Sequence, residues 1–366
     1  MDNNLRIYYN SAKALGLSVI YLDHIKSLKI YLGGKNYYFT RTITPFNGAS
    51  SSYLAKNKFR LNKLLEEAGF PVPKAIGLKK EFFIKYPLRY LVRKIKFPVV
   101  AKPNSDTGRG KDVLCNIKNV TELSAHLTEC FKQYPAMQIE EFHQGLKEYR
   151  ILICRNRVIG VVERYGAQIV GDGKHSVEQL IDLGNPERVN LSGNLTISPL
   201  TIDQEYKNCL LEQGLSFQSV PAAGVIVKLC HTVNTGRGGN IYSHGKKINA
   251  YNAQYLCLAA KAIGLNLVGF DILCEDINQS FKDTKLIIIE ANFNPDTTIH
   301  EIPNKGIKVN VTKKILRQLI FRHPISYFHE LMKNSHYAIY IKSTLIVSGL
   351  LLLKYQIVLG MAQQIR

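Results

Sequence analysis

The order of hydrophobic and polar residues predicts short strands and helices in alternation along the chain. In the first 55 residues, a helical stretch near 10–17 precedes two β-like runs, 18–23 and 28–44. The pair Gly33-Gly34 predicts a hairpin turn within the second run. We expect these elements to form a small N-terminal α/β domain, residues 1–55.

Residues 51–74 are predicted to form one helix, because apolar residues recur at helical spacing after a serine-rich start and Gly69 precedes two prolines. From Phe97 the pattern changes to apolar strands separated by turns, with one helix-like stretch at 252–264. The strands are predicted over 97–103, 136–142, 149–166, 267–276 and 285–293. Hairpin-like strands with interspersed helices favour an α+β domain over residues 56–320.

The last predicted segment, residues 321–366, is a helical tail with a long apolar run. Lys342 and Lys354 interrupt that run, which leaves fewer than the ~18 uninterrupted apolar residues of a membrane span. We therefore expect a helix packed on the protein. The alternative is a helix lying at a membrane surface, since lysines beside an apolar stretch suit anionic lipid.

The composition is that of a globular protein with a strong positive charge. Of 366 residues, 46% are hydrophobic, and 48 Lys and Arg against 28 Asp and Glu give a formal net charge of +20. Neither zinc-finger spacing nor an aromatic RNA-binding signature is present, so nucleic acid is disfavoured as a partner. Seven cysteines without a CxxC pair predict reduced thiols in the cytoplasm. The first residues lack the features of a secretory signal, so we expect no export.

The segment 97–113 is a candidate phosphate-binding element. It combines a β-branched strand ending at Lys102 with a loop that contains Gly108 and Gly110. Glycines let backbone N–H groups approach phosphate oxygens, and a lysine at the strand end adds a positive charge beside them. The segment matches neither GxxxxGK[ST] nor GxGxxG. Taken alone, an ordinary basic hairpin loop is the alternative.

Two apolar strands carry oxygen ligands suited to a cation. Glu290 and Asn292 are two residues apart and therefore lie on the same face of their strand. Asp271 comes from the neighbouring apolar strand, and the three together suit Mg²⁺ that bridges nucleotide phosphates. Taken singly, each residue is more often a strand-end cap.

A strand–loop–strand segment offers a third candidate element. A strand runs into Glu140 and Glu141, a short loop passes through Gly145, and Glu148 precedes the next strand. Such a hinge can present backbone groups to an adenine edge and a carboxylate to ribose hydroxyls. The alternative is a solvated acidic loop.

Four stretches resemble the ATP-grasp ligases in order and spacing over about residues 56–320. They are KNKFRLNKLLEEAGFPVPK, FPVVAKPNSDTGRGKDV, ERYGAQIVGDGKHSVEQLID, and AIGLNLVGFDILCED with IIIEANFNPDTTIHEIP. The phrase VGDGKHSVEQLI is typical of the branch that includes cyanophycin synthetase and the bifunctional glutathione synthetases. The resemblance implies the ATP-grasp fold, in which two α+β subdomains clamp ATP.

The resemblance also implies roles for individual residues. Lys58 and Lys102 would contact the nucleotide phosphates and the adenine edge, with the 104–110 loop closing over the phosphates. The adenine hinge and the ribose contact would be formed by Glu140, Glu141, Phe142, His143 and Glu148. The ligands of Mg²⁺ or Mn²⁺ would be Asp271, Glu290 and Asn292. Arg150 and Arg237 would stabilise the transferred phosphoryl group.

The function that this resemblance implies is that of an ATP-dependent carboxylate–amine ligase. It would form an amide between amino acids or peptides through an acyl phosphate, with release of ADP and phosphate. Two alternatives are a nucleotide-binding regulatory module without turnover and an enzyme that adds amino acids to a protein. Relatives often form dimers or tetramers, so a homo-oligomer stays an open expectation.

Overall fold

The computed structural model describes residues 1–104, 112–191, 198–233, 235–333 and 335–364. The helices are α1 (Asn3–Ala14), α2 (Ala49–Ala55), α3 (Lys58–Glu67), α4 (Lys80–Lys85), α5 (Leu88–Leu91), α6 (Val120–Cys130), α7 (Val177–Leu191), α8 (Gln204–Glu212), α9 (Ala250–Ala262), α10 (Thr298–Glu301), α11 (Val311–Arg322), α12 (Pro324–Lys333) and α13 (Ser335–Gln364). The strands are β1 (Val19–Leu22), β2 (Ser27–Leu32), β3 (Lys35–Thr40), β4 (Ala75–Lys79), β5 (Val99–Pro103), β6 (Leu114–Ile117), β7 (Ala136–Glu141), β8 (Lys147–Cys154), β9 (Arg157–Tyr165), β10 (Gln168–Val170), β11 (Ile226–Lys228), β12 (Asn240–Gly245), β13 (Leu267–Cys274), β14 (Leu286–Asn292) and β15 (Lys305–Ile307). Short 3-10 turns lie at Asp23–Ile25 and Thr235–Arg237. The predicted α+β class is confirmed.

Contacts divide the chain into two compact units. One unit is Met1–Arg41 together with Thr312–Arg366, and the other is Thr42–Val311. The sequence instead predicts boundaries at 55/56 and 320/321. A local pattern does not reveal that residues three hundred positions apart share one core.

In the first unit, polar contacts join the two ends of the chain. The Ser11 and Thr312 hydroxyls lie 2.7 Å apart. The Tyr37 hydroxyl lies 2.6 Å from Nε2 of His323, and the Tyr327 hydroxyl donates to a backbone carbonyl of the first helix region. Helices α11 to α13 therefore belong with α1 and the β1–β3 sheet.

Local signals explain the hairpin and the first helix. The hairpin predicted at Gly33-Gly34 is confirmed, since both glycines have positive φ, +62° and +73°, and connect the antiparallel strands β2 and β3. The helix predicted near 10–17 begins earlier, at Asn3, because the Asp2 side chain accepts from the backbone N–H of Leu5 and caps it.

The single helix predicted within 51–74 is wrong, because the structure contains two helices there. Helix α2 ends at Ala55 and α3 begins at Lys58. Between them Asn57 has extended backbone angles and its side chain accepts from the N–H of Arg60, which makes it an N-cap. The break leaves Lys58 as the first residue of α3.

The second unit contains two sheets that position the site. The four-stranded sheet has the antiparallel order β4-β7-β5-β6, and the apolar side of α6 contributes to its core. The six-stranded sheet has the order β14-β13-β8-β9-β12-β15, with β12–β15 as its parallel pair. Residues of α3 and α9 pack against one face of this sheet. A small β10–β11 pair packs with α7 and α8.

The prediction of a tail packed on the protein is wrong for most of α13. Tyr337 at its start donates from its hydroxyl to a carbonyl of α1. From 339 to 358 the side chains are exposed, apart from two half-buried positions. Apolar residues therefore face solvent over about five helical turns.

Candidate active site

A cavity of about 940 Å³ opens between the four-stranded and six-stranded sheets of the second unit. Eleven of the fourteen predicted site residues line it: Lys58, Lys102, Glu140, Glu141, Phe142, His143, Glu148, Arg150, Asp271, Glu290 and Asn292. Gly108 and Gly110 lie outside the described residues. Arg237 does not line the cavity. The structure therefore brings most of the predicted set together in one place.

Strand register gathers the charged side chains on one sheet face. Asp271 on β13 lies opposite Glu290 on β14 and opposite Arg150 on β8. Side chains alternate along a strand, so Glu148, two residues before Arg150, and Asn292, two residues after Glu290, share that face. The intervening residues, including Tyr149 and Phe270, are buried in the apolar core on the other face.

Two arginines converge on the buried Asp271 carboxylate. Arg150 donates from Nη2 to Oδ2 at 2.8 Å and also contacts Oδ1 through Nε. Arg164 on β9 lies 2.8 Å from Oδ2 and also pairs with Glu148. The cluster thus holds two guanidinium groups against two carboxylates, a balance that buried charges require.

The carboxylates of this cluster have opposite pKa shifts. Burial alone would raise the pKa of Asp271, but Arg150 and Arg164 outweigh it and hold that pKa below its ordinary value. For Glu148, burial outweighs the attraction of Arg164 and raises the pKa. The Asp271 carboxylate is therefore the firmly anionic member of the cluster.

Sequence reasoning missed Arg164. The signal for it was a hairpin: Arg155 and Asn156, both with positive φ, connect β8 to β9 and place Glu148 opposite Arg164.

The predicted Arg237 lies away from this cluster, in the Thr235–Arg237 turn. Its guanidinium pairs there with Asp203 at 2.5 Å and with Glu205 at 3.0 Å.

Lys102 and Glu140 form a buried ion pair on the opposite wall of the cavity. Nζ of Lys102 donates to Oε1 of Glu140 at 2.6 Å, and Nε2 of Gln138 donates to the other oxygen at 2.7 Å. Burial lowers the pKa of Lys102, but Glu140 and Glu290 outweigh it and raise the net value. Lys102 therefore carries a positive charge into the cavity.

Lys58 and Glu290 form a looser ion pair in the same cavity. Their Nζ and Oε1 atoms are 3.6 Å apart, and both side chains are partly exposed. At this distance the pair is open to rearrangement by an incoming anion or cation. Its position follows from the helix break at Asn57, which places Lys58 at the start of α3.

The predicted adenine hinge carries aromatic and imidazole groups. The Phe142 ring meets the His231 ring edge to face, with centroids 5.2 Å apart. Within the described part of the chain, Nε2 of His143 is buried without a hydrogen-bond partner. Such an atom suits a polar ligand edge, because a buried polar group without a partner is costly.

We expect His143 to make stability depend on pH. Burial, with a contribution from Lys285, lowers the pKa of His143 below the ordinary histidine value of 6.5, despite two nearby glutamates that act to raise it. The folded state thus binds the proton less readily than the unfolded state, and stability falls as the pH falls below about 6.5. His143→Gln should lose less unfolding free energy between pH 7.5 and 5.5 than the wild type in urea titrations. The exposed His24→Gln variant is the control, and equal pH slopes for wild type and His143→Gln would contradict this.

The oxygen donors of the site fit Mg²⁺ by chemistry. Within the described ranges, no cluster of three His, Cys, Asp or Glu side chains is arranged to hold a metal ion. A Mg²⁺ ion would therefore rely on the amide oxygen of Asn292 beside carboxylates. Asn292 uses its amide nitrogen toward Gly269 and Asp271. Of the carboxylates, Glu290 is the more available, since both oxygens of Asp271 already contact arginines.

Two sheets, each packed with helices, enclose this charged cavity, and the chain has the ATP-grasp fold. A solved bifunctional glutathione synthetase from Pasteurella multocida shares it, with a TM-score of 0.60 and 24% sequence identity over 88% of this chain and 44% of that one. No family model matches the chain.

Sequence comparison relates the chain to two kinds of ligase. Cyanophycin synthetase of Crocosphaera subtropica is 29% identical over 282 residues, which cover 76% of this chain and 32% of the relative. The glutathione biosynthesis bifunctional protein GshAB of Enterococcus faecalis is 30% identical over 326 residues, covering 87% of this chain and 42% of the relative. The chain is thus homologous to these proteins but spans less than half of their length.

Proposed function

We propose that this protein is an ATP-dependent carboxylate–amine ligase that forms an amide bond and releases ADP and phosphate. The observation that carries the proposal is the single cavity in which Lys102, the Arg150–Asp271–Arg164 cluster and Glu290 converge. Homology to two kinds of amide-forming ligase supports the same chemistry.

The reaction joins two anions, so charge neutralisation carries most of the mechanism. A carboxylate oxygen attacks the γ-phosphorus of ATP, the bond to the ADP oxygen breaks, and an acyl phosphate forms. An amine nitrogen then attacks the acyl carbon, phosphate leaves, and the nitrogen loses a proton.

The residues of this chain take complementary roles in those steps. Lys102, positive and held by Glu140, would neutralise the nucleotide phosphates. Arg150 and Arg164 would stabilise charge on the transferred phosphoryl group and on the acyl phosphate, and Asp271 fixes their orientation. Glu290, Asn292 and Asp271 would hold Mg²⁺, which would neutralise phosphate charge when bound.

We assign the substrates to amino acids or peptides and the compartment to the cytoplasm. The assignment of substrates rests on the homologous ligases. Seven free cysteines, five of them buried, support a reducing compartment. Burial raises the pKa of Cys115, Cys230 and Cys274 above the ordinary thiol value, which keeps these thiols protonated and unreactive.

Nucleotide product analysis tests the proposal. Purified protein receives Mg-ATP with pools of amino acids and dipeptides, and ADP and AMP are separated by chromatography. We expect ADP that appears with particular pools, and subdivision of those pools then identifies the substrates. AMP would contradict acyl-phosphate chemistry. Bound ATP without turnover in any pool would favour a protein acceptor or a regulatory module.

A further inference from the structure

Helix α13 exposes an apolar surface that the site does not use. Among the described residues, one helical segment is long and apolar enough to cross a membrane, Tyr337–Val358, and none of its side chains from 339 to 358 is buried. Leu350, Leu351 and Leu352 are each 62% or 63% exposed. Exposed apolar surface on this scale marks an interaction site.

The distribution of apolar residues around the helix identifies the occupant. Successive helical residues are rotated by about 100°, so the four leucines at 350–353 cover all sides of the helix. A protein groove covers one face of a helix, and a membrane-surface helix keeps one polar face. A helix that is apolar on every side either is buried in a protein core or spans a membrane, and since residues 339–358 are not buried in this protein, the fitting occupant is a lipid bilayer.

Length and flanking residues fit a bilayer. The 22 residues from Tyr337 to Val358 extend about 33 Å, against about 30 Å for the hydrocarbon core. Lys342 and Lys354 lie five and four residues inside the two ends, so each ammonium group can reach the nearer interface through its alkyl chain. Tyr340 and Tyr355 stand beside them, as tyrosines do at membrane interfaces.

The residues before α13 support contact with an anionic membrane surface. Phe321 near the end of α11 and Ile325 and Phe328 on α12 are 70%, 85% and 50% exposed, so apolar side chains are also open just before α13. The unit that carries them, Met1–Arg41 with Thr312–Arg366, contains 14 Lys and Arg against three Asp and Glu. Positive charge beside a membrane-inserted helix is attracted to anionic lipid.

We infer that α13 inserts across a lipid bilayer and anchors this protein to a membrane. The inference is independent of the ligase proposal, since it uses no cavity residue. It replaces the expectation of a packed tail and the alternative of a helix lying flat on the surface.

Vesicle flotation tests the anchor with the full chain. Protein in mild detergent is mixed with vesicles of phosphatidylcholine and phosphatidylglycerol, the detergent is removed, and the vesicles are floated in a density gradient with 1 M NaCl. We expect wild type to float and Leu350→Glu/Leu351→Glu to lose more than about tenfold of its floated fraction. The control Ile84→Glu/Leu183→Glu adds the same charges at exposed positions of the other unit and should float like wild type.

Three flotation results would overturn the inference. Wild type could stay at the bottom of the gradient. The wild type could fail to float in 1 M NaCl while the double variant still floats in low salt. That pair of results would identify a basic surface, and not α13, as the attachment. Wild type without vesicles could form a soluble oligomer that the double variant dissociates, which would identify a second copy as the occupant.

Single tryptophans test the depth of insertion without disrupting the helix. The chain has no tryptophan, so Val347→Trp, Tyr355→Trp and the control Ile84→Trp each report one site. In vesicles with brominated acyl chains, a spanning helix predicts strongest quenching of Val347→Trp by deep bromines and of Tyr355→Trp by shallow bromines. Equal shallow quenching of both would contradict a spanning helix, and no quenching of either would contradict insertion.

Discussion

Replacement of Glu290 with alanine is expected to lower ADP formation by at least about 10²–10³-fold while leaving the protein folded. Glu290 faces the cavity, and its ion pair to Lys58 is long, at 3.6 Å between Nζ and Oε1, and partly exposed. Removal of such a pair changes the unfolding free energy by less than about 1 kcal/mol. The loss would therefore fall on catalysis, which is measured as ADP released with a productive substrate pool.

The matched control is Glu275→Ala. Glu275 is exposed, lies just after β13, and does not line the cavity. It should retain wild-type turnover and stability. Glu290→Ala turnover within threefold of wild type would contradict the role of Glu290 in the site.

Replacement of Asp271 with alanine is expected to destabilise the protein by about 3–5 kcal/mol in addition to stopping turnover. The substitution removes one of the two carboxylates of the cluster. The two buried guanidinium groups of Arg150 and Arg164 are then balanced by the Glu148 carboxylate alone. Urea denaturation measures the loss as a lower midpoint at unchanged slope. The exposed Asp283→Ala variant on the same hairpin is the control.

Charge balance separates this explanation from simple loss of packing. Adding Arg164→Met to Asp271→Ala leaves one guanidinium and one carboxylate, so the double variant should recover part of the lost unfolding free energy. Arg157→Met, an exposed arginine on the same strand, should restore nothing. A destabilisation below about 1 kcal/mol for Asp271→Ala would show that these charges are not dependent on one another.

The strand residues that share a face of the sheet were predictable, because the direction of a side chain depends on the short-range alternation along its own strand. Period-two alternation places Glu290 and Asn292 on one face, and an apolar strand with one acidic residue identifies Asp271. The observed register adds what alternation does not contain: Asp271 lies opposite both Glu290 and Arg150. The pairing partner of a strand is a long-range property, so the arginine cluster was only half predicted.

The features that the local sequence pattern did not reveal also have physical causes. The break at Asn57 depends on a single side-chain cap. The cap changes the free energy by only about 1 kcal/mol, and the hydrophobic pattern does not show so small a difference. The union of Met1–Arg41 with Thr312–Arg366 depends on contacts between the ends of the chain, such as Ser11 with Thr312. The exposure of α13 was not predicted, because an apolar run indicates that a helix avoids water. It does not indicate whether protein or lipid surrounds the helix.

The central claim is that this cavity activates a carboxylate as an acyl phosphate. Hydroxylamine in place of the amine substrate tests it directly, because it converts an acyl phosphate to a hydroxamate. With Mg-ATP and the productive carboxylate pool, wild type should release ADP and hydroxamate in equal amounts, and Glu290→Ala should release neither. Hydroxamate formed with AMP would mean activation by adenylation, and ADP without hydroxamate would mean simple hydrolysis of ATP. Either result would contradict the mechanism proposed for this cavity.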